Sequence, residues 1–494
     1  MVASLSSVVC CSGRVIAAVL LTAFAPSGLA WAQGAAKAAR ADLRPEASAN
    51  TGAFRHLQAL QDIASANGGN RAAGTPGYDR SAEYVAEQLR KAGYQVHFEE
   101  FEFPFFEERG PPVVVVNRVG GAPEPAATGA VRTLADSGSG DVTAQLRAVN
   151  LQLSATPGTS ASGCESSDFK NFERGTVALV RRGTCQFQTK VENAVAAGAV
   201  GVIIMNEGTA GRADGFSGRL AKLAAIPVVG VSYAFGSALD NAIQSGATVR
   251  LAVDAVAGMR PSRNVVAESS GSDGPWIVVG AHLDSVPEGP GINDNGSGSA
   301  AVLEAALQLA EQMAQARSRI RFAFWGAEER GLVGSRHHVE ALSEEERRRI
   351  ALYINLDMVG SINFARLVQG PAVTGDGPAA IARRELIADF REHGLNIEER
   401  TRTGGGSDDA SFSRSGIPTL GLYTGAGGSK SEQQTSLFGG AAGRPFDPCY
   451  HKACDTVENI DRDVLEQNTR ALVRALKAVG TAAAGLDGPD QKGK

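Results

Sequence analysis

The stretch Trp276-Ile277-Val278-Val279-Gly280-Ala281-His282-Leu283-Asp284 decides how the rest of the chain is read. An apolar run with no polar alternation is the pattern of a strand buried on both faces of a sheet. This one ends on an imidazole and a carboxylate, at the end of a strand where open α/β sheets gather their ligands. The same rhythm continues downstream, with a helical pattern over residues 299–316 and apolar strands over 320–325, 350–356 and 418–423. The fold class that follows is α/β, a central sheet flanked by helices on both faces.

Upstream, Tyr78, Ala82, Val85 and Leu89 recur at helical spacing, Gly93 can end that helix, and residues 94–103 read as a strand. After Pro111 and Pro112 the pattern changes to short apolar stretches separated by Gly and Ser, over 175–181, 200–206 and 226–231, with one helix over 190–198. Such strand-heavy alternation marks an inserted, mostly β module. The expected organisation is residues 51–128 as the first part of the main domain, 129–257 as the insert and 258–484 as the remainder. Residues 33–50 and 485–494 are unpatterned and read as a leader or propeptide and a disordered tail.

A chain of 494 residues with net charge −5 can bury more than one core and has no broad basic surface to hold a phosphate backbone, which argues against a nucleic-acid partner. Arg14, an apolar run over 15–25 and Ala30-Trp31-Ala32 form a signal-peptide pattern over 1–32, cleaved before Gln33. The run is shorter than the roughly 20 residues that span a bilayer, so export of a monomer without stable membrane insertion, secreted or periplasmic, is expected. Export leaves Cys164, Cys185, Cys449 and Cys454, an even set in an oxidising compartment. Short loops close more easily than long ones, which favours Cys164 with Cys185 and Cys449 with Cys454 among the three pairings.

The candidate chemistry lies where the strands end: His282 and Asp284, then Asp294 before a helix, Glu328 and Glu329 after Phe322-Ala323-Phe324-Trp325, and finally Asp357 and His451. A catalytic two-zinc site needs nitrogen and oxygen ligands, a bridging group and a separate base, and this inventory supplies each. Adjacent Glu328 and Glu329 can serve one site only if the strand has already given way to a loop, which Gly326 and Gly331 allow. Asp284, two residues beyond His282, is placed to accept the second imidazole proton. The other histidines, His56, His97, His337, His338 and His393, are read as structural.

These residues bring a resemblance into view. The motifs Gly280-Ala281-His282-Leu283-Asp284-Ser285, residues 291–298, Phe324-Trp325-Gly326-Ala327-Glu328-Glu329, Asn355-Leu356-Asp357-Met358-Val359-Gly360, Ser407-Asp408 and Cys449-Tyr450-His451-Lys452-Ala453-Cys454-Asp455 resemble the co-catalytic zinc aminopeptidases, a group that includes secreted bacterial leucyl aminopeptidases and aminopeptidase Y. Residues 175–185 and 194–206 resemble a protease-associated (PA) domain.

The resemblance implies a mixed central sheet of the zinc-exopeptidase, phosphorylase/hydrolase-like kind, and two Zn2+ per chain. His282 and Asp357 would hold one ion, Glu329 and His451 the other, with Asp294 bridging. Glu328 would be the general acid/base and Tyr450 a donor to the oxyanion. It also implies a cis peptide bond after Asp294, and peptide or protein N-termini as substrates with a preference for apolar first residues. Asp409 stands where such relatives often have His. A carboxypeptidase or dipeptidase on the same scaffold is the alternative, and a receptor-like binding protein that has lost catalysis a minor one; every ligand position is filled here, which favours the enzyme.

Overall fold

The computed structural model describes residues 52–154, 156–269, 274–313, 316, 318–401 and 406–481. The expected signal segment, leader and tail lie outside the described residues.

Two eight-stranded sheets organise the molecule. The first runs, edge to edge, Gln95–Glu108, Ala255–Glu268, Arg319–Trp325, Trp276–His282, Ile350–Leu356, Thr419–Tyr423, Leu367–Gln369 and Glu398–Arg400. Its four central strands are parallel, and antiparallel pairings at Ala255–Glu268 and Leu367–Gln369 make the sheet mixed.

Every residue of Trp276–His282 is buried. Side chains alternate across a strand, and here both faces are covered. Ile277, Val279 and Ala281 enter a core with Ala301, Leu309 and Leu472. Trp276 and Val278 enter a second core with Val339 and Phe412. An uninterrupted apolar run is what a strand shared between two cores requires. Helices Ala53–Ala66, Pro76–Lys91, Gly298–Met313, Pro378–Glu392 and Arg462–Thr481 contribute to the first core; Val333–Ala341 and Asp409–Ser413 contribute to the second.

The expected strand over 94–103 is longer than its sequence pattern suggests. Gln95–Glu108 pairs along its whole length with Ala255–Glu268, from Gln95 opposite Glu268 to Glu108 opposite Ala255. This ribbon leads out of the first sheet and into the insert. Near its middle, Phe101, Phe103 and Phe105 pack with Ala327 and Val333, beneath the turn that carries Glu328.

The second sheet runs Glu124–Pro125, Val113–Asn117, Thr248–Val253, Gly140–Ala148, Val177–Arg181, Gly201–Met205, Val228–Val231 and Val131–Thr133. Helices Tyr233–Ile243 and Phe187–Ala197 contribute to its two apolar cores. Val113–Asn117, which follows the change of sequence pattern at Pro111 and Pro112, pairs with Thr248–Val253 and so joins the sheet of the insert ahead of residue 129, the expected start of the insert. Hydrogen-bond pairing joins strands that are distant in the chain, and sequence pattern alone does not show it. Cys164 is bonded to Cys185 and Cys449 to Cys454.

Candidate metal centre

His282 closes its strand and is buried. Its Nδ1 lies 3.1 Å from the main-chain carbonyl of Asp284 and 3.8 Å from that residue's carboxylate. The partner of this ring nitrogen is therefore the carbonyl, not the carboxylate expected from the sequence. The Asp284 carboxylate instead accepts hydrogen bonds from the main-chain N–H of Glu328 at 3.1 Å and of Glu329 at 3.3 Å. It fixes the turn on which both glutamates stand. That turn breaks the strand after Trp325: Ala327 has φ +56°, and a Cβ on Gly326 would come within 2.4 Å of the Tyr78 hydroxyl. The condition for both glutamates to face one site is thereby met.

Asp294 sits in the loop before helix Gly298–Met313, and its peptide bond to Asn295 is cis. Gly291 has φ +62°, and a Cβ there would lie 2.4 Å from the carbonyl oxygen of Asp294, so only glycine closes this loop. Asp455 accepts from the N–H groups of Asn293 and Asp294 at 2.8 and 3.0 Å. Asn295 donates to the carbonyl of Leu356 at 2.9 Å, tying the loop to the strand that delivers Asp357. His451 stands between Cys449 and Cys454 with φ +57°, its ring stacked on Tyr450 at 3.9 Å.

These elements converge. His282 Nε2 is 3.3 Å from Asp294 Oδ1 and 3.6 Å from Asp357 Oδ1. His451 Nε2 is 3.1 Å from Asp294 Oδ2 and 3.3 Å from Glu329 Oε1. Two ligand groups result, His282 with Asp294 and Asp357, and Asp294 with Glu329 and His451, sharing the two oxygens of one carboxylate. Ligand atoms held at roughly 2.0–2.2 Å around a tetrahedral zinc lie about 3.3 Å apart, the spacing seen here. Asp294 Oδ2 and Glu329 Oε1 are buried and both crowd the single His451 Nε2, an arrangement that a cation would satisfy.

The charges point the same way. Burial pushes Glu328 and Asp284 up, and lifts Glu329 and Asp408 to about 7. Burial opposes protonation of the imidazoles, but the surrounding carboxylates outweigh it and raise His282 well above its ordinary value and His451 to about 10. Protonated imidazole cannot ligate, so cations would displace these protons and relieve the crowded acids.

The five histidines read as structural have other roles. His56 meets the Tyr84 hydroxyl at 2.7 Å, His338 lies 2.9 Å from Glu99, and His393 contacts the Asp389 carbonyl at 2.7 Å. His337 rests on Phe101, and half-exposed His97 lies 3.6 Å from Glu99.

Sequence reasoning missed Arg71. Fully buried, it donates to the carbonyls of Leu283, Pro290 and Gly291, clamping the segments that carry His282 and Asp294. A lone Arg in a Gly- and Ala-rich loop gives no sequence signal for this. Asp408, quoted in the sequence only as part of the Ser407-Asp408 motif and given no role there, is buried. Arg219 was missed as well: it comes from the insert, yet it lines the same cavity of about 570 Å³ as His282, Asp357 and Tyr450.

Paired ligand groups sharing one carboxylate, set at the strand ends of a mixed α/β sheet, define the class as a metal-dependent hydrolase. Residues 264–476 match the Peptidase family M28 and residues 142–239 the PA domain. An aminopeptidase of Pseudomonas aeruginosa is 44% identical over 85% of this chain and 78% of its own length. A probable lipoprotein aminopeptidase of Mycobacterium tuberculosis is 40% identical over 88% and 85%. Among solved structures, an aminopeptidase from Aneurinibacillus sp. strain AM-1 aligns with a TM-score of 0.65 at 26% identity, covering 89% of this chain and 97% of that one. A zinc aminopeptidase from Bacillus subtilis aligns with a TM-score of 0.60 at 26% identity, covering 88% and 97%. The chain belongs to peptidase family M28 and carries a PA domain.

Proposed function

We propose that this zinc-dependent aminopeptidase holds two zinc ions, one on His282 and Asp357 and one on Glu329 and His451, with Asp294 between them. The observation that carries the reading is the division of Asp294: Oδ1 faces His282 at 3.3 Å and Oδ2 faces His451 at 3.1 Å. Zinc supplies Lewis acidity, polarising the scissile carbonyl and lowering the pKa of water. Glu328 takes the proton of the attacking water on its carboxylate and returns it to the leaving amine nitrogen. Its position 4.0 Å from His282 Nε2, just outside the ligand groups, supports that role. Tyr450 donates its hydroxyl to the developing oxyanion; burial, followed by the acids around it, raises its pKa and keeps that proton in place. Asp284 acts as a positioning residue through the main chain of Glu328 and Glu329.

Peptides are the substrates, and the first residue is preferentially apolar. Met358, Leu422, Tyr423 and Ala426 on the cavity wall support that preference. Export to the periplasm or medium is supported by the two disulfides and by the similarity to the mycobacterial protein, a probable lipoprotein aminopeptidase. No helix among the described residues is long and apolar enough to cross a membrane. The insert limits access to the cavity or engages longer substrates, and the chain acts as a monomer.

Stepwise readdition of zinc to chelated protein, followed with leucine p-nitroanilide, tests this reading. Activity that keeps rising through the second equivalent supports it. Full activity at one equivalent, or activity on N-acetylated peptides equal to that on free ones, contradicts it.

A further inference from the structure

Two guanidiniums border the catalytic cavity, and its metal ligands account for neither. Arg219 comes from the insert and Arg330 follows Glu329. Arg219 is anchored by a single hydrogen bond from Nη1 to Asp136 Oδ2 at 2.8 Å; Asp136 is buried, while the arginine side chain remains 46% exposed. An arginine offers five N–H donors, so among the described residues most of those on Arg219 are uncommitted. Arg330 is half-buried and makes no ion pair or hydrogen bond among the described residues, only a ring contact with Phe105 at 5.7 Å. Arg219 and Arg330 both line the one cavity, so a single ligand group seated there can meet either.

Arg219 also lines a second cavity of about 580 Å³ on the insert, together with Arg182 and Arg212. Arg182 and Arg212 lie 3.8 and 3.0 Å from the same oxygen of Glu207. Arginines thus line the path from the catalytic cavity to the next, on a chain whose net charge is −5. On the aminopeptidase reading, the ligand carboxylates on the floor of the catalytic cavity serve the metal cations. A negative group on the substrate has to sit elsewhere. Because the first peptide bond is cut on the floor, whatever follows it must leave the cavity, and Arg219 borders both that cavity and the next.

We propose that Arg219 and Arg330 form a carboxylate subsite on the leaving-group side of the scissile bond, so that peptides with a carboxylate just beyond that bond are preferred. The subsite rests on the aminopeptidase reading and names its substrate class. The carboxylate is either the C-terminus of a short peptide or an acidic side chain. Arginine suits either, as its planar fork matches a carboxylate's two oxygens.

The test compares kcat/KM within two matched pairs: leucyl-glycine against leucyl-glycinamide for the terminal carboxylate, and leucyl-glutamyl-glycinamide against leucyl-glutaminyl-glycinamide for the side chain. Each rate is normalised to leucine p-nitroanilide. In the wild-type enzyme the acidic member of at least one pair should be favoured by about fivefold, mainly through KM, and the ratio should shrink as salt is raised. The pair that shows the effect identifies the source. Arg219→Gln should bring that ratio close to one. Because that change leaves Asp136 buried and unpaired, the double variant Asp136→Asn/Arg219→Gln provides the same readout without the stranded charge. Wild-type ratios near one in both pairs, or a ratio that survives in the double variant, would overturn the subsite while leaving the aminopeptidase reading intact. A wild-type enzyme that hydrolyses none of the substrates, leucine p-nitroanilide included, would overturn that reading and the subsite with it.

Discussion

The floor of the catalytic cavity and its rim on the insert are built on opposite plans. On the floor, functional side chains stand at the ends of strands buried on both faces, and their loops are tied by hydrogen bonds from Arg71 and to Asp284 and Asp455. On the rim, Arg219 lies in the connection between strands Gly201–Met205 and Val228–Val231 of the insert, which is reached along a two-stranded ribbon, and its side chain is held by one ion pair. Chemistry that needs atoms placed within fractions of an ångström belongs on the first kind of support. Selection among substrates tolerates the second. Changes to the floor should therefore abolish turnover or metal, and changes to the insert should only redistribute rates.

The sharpest way to break this contrast is Glu328→Gln. It should lower kcat by on the order of 10²–10⁴ while zinc content, measured by elemental analysis, stays at the wild-type level. A loss of zinc in step with activity would make Glu328 a ligand and not the acid/base.

Next in size is Arg71→Met, which leaves the carbonyls of Leu283, Pro290 and Gly291 without their buried donor. We expect a stability loss of about 3–5 kcal/mol by denaturant titration. A variant as stable as wild type would show that the two loops hold themselves. Asp455→Asn keeps the shape but removes the charge that gathers the N–H groups of Asn293 and Asp294; zinc affinity should fall about 10- to 100-fold in competition with a chelator. Unchanged affinity would place the control of Asp294 elsewhere.

The smallest effect belongs to the insert. Lys190 is buried, donates to the Ser162 carbonyl at 2.5 Å, and burial lowers its pKa to about 8 from 10.5. Its folded pKa lies below its unfolded one, so the charged form is penalised in the folded state and stability rises as pH climbs from about 8 towards 10.5. Thermal melts in that window should show a slope in the wild-type protein, about 1 kcal/mol per pH unit, that Lys190→Met lacks, with activity below pH 8 little affected. Equal slopes would show that Lys190 pays no such penalty.

Much of this was legible in the sequence. Trp276–His282 announced a strand covered on both faces, and the structure deals its residues to two cores. His282, Asp294, Glu329, Asp357 and His451 stood at strand ends or in short Gly-flanked loops, where residue type alone narrows the chemistry, and all five meet in the structure. What stayed hidden depends on contacts between distant segments. Nothing local to Arg71 records that its guanidinium reaches carbonyls more than two hundred residues away. The His282 partner was misplaced because a carbonyl, which every residue has, leaves no mark in a sequence. That Val113–Asn117, ahead of the expected insert, pairs with Thr248–Val253 is likewise a contact between distant segments.

In the proposed centre one carboxylate, that of Asp294, is shared by two ions. Anomalous diffraction at the zinc edge, on crystals of the zinc-loaded protein, measures this directly. Two peaks of comparable height should lie about 3.5 Å apart on either side of Asp294, one beside His282 and Asp357 and the other beside Glu329 and His451. A single peak in fully active protein, or a second one away from Glu329 and His451, would contradict it.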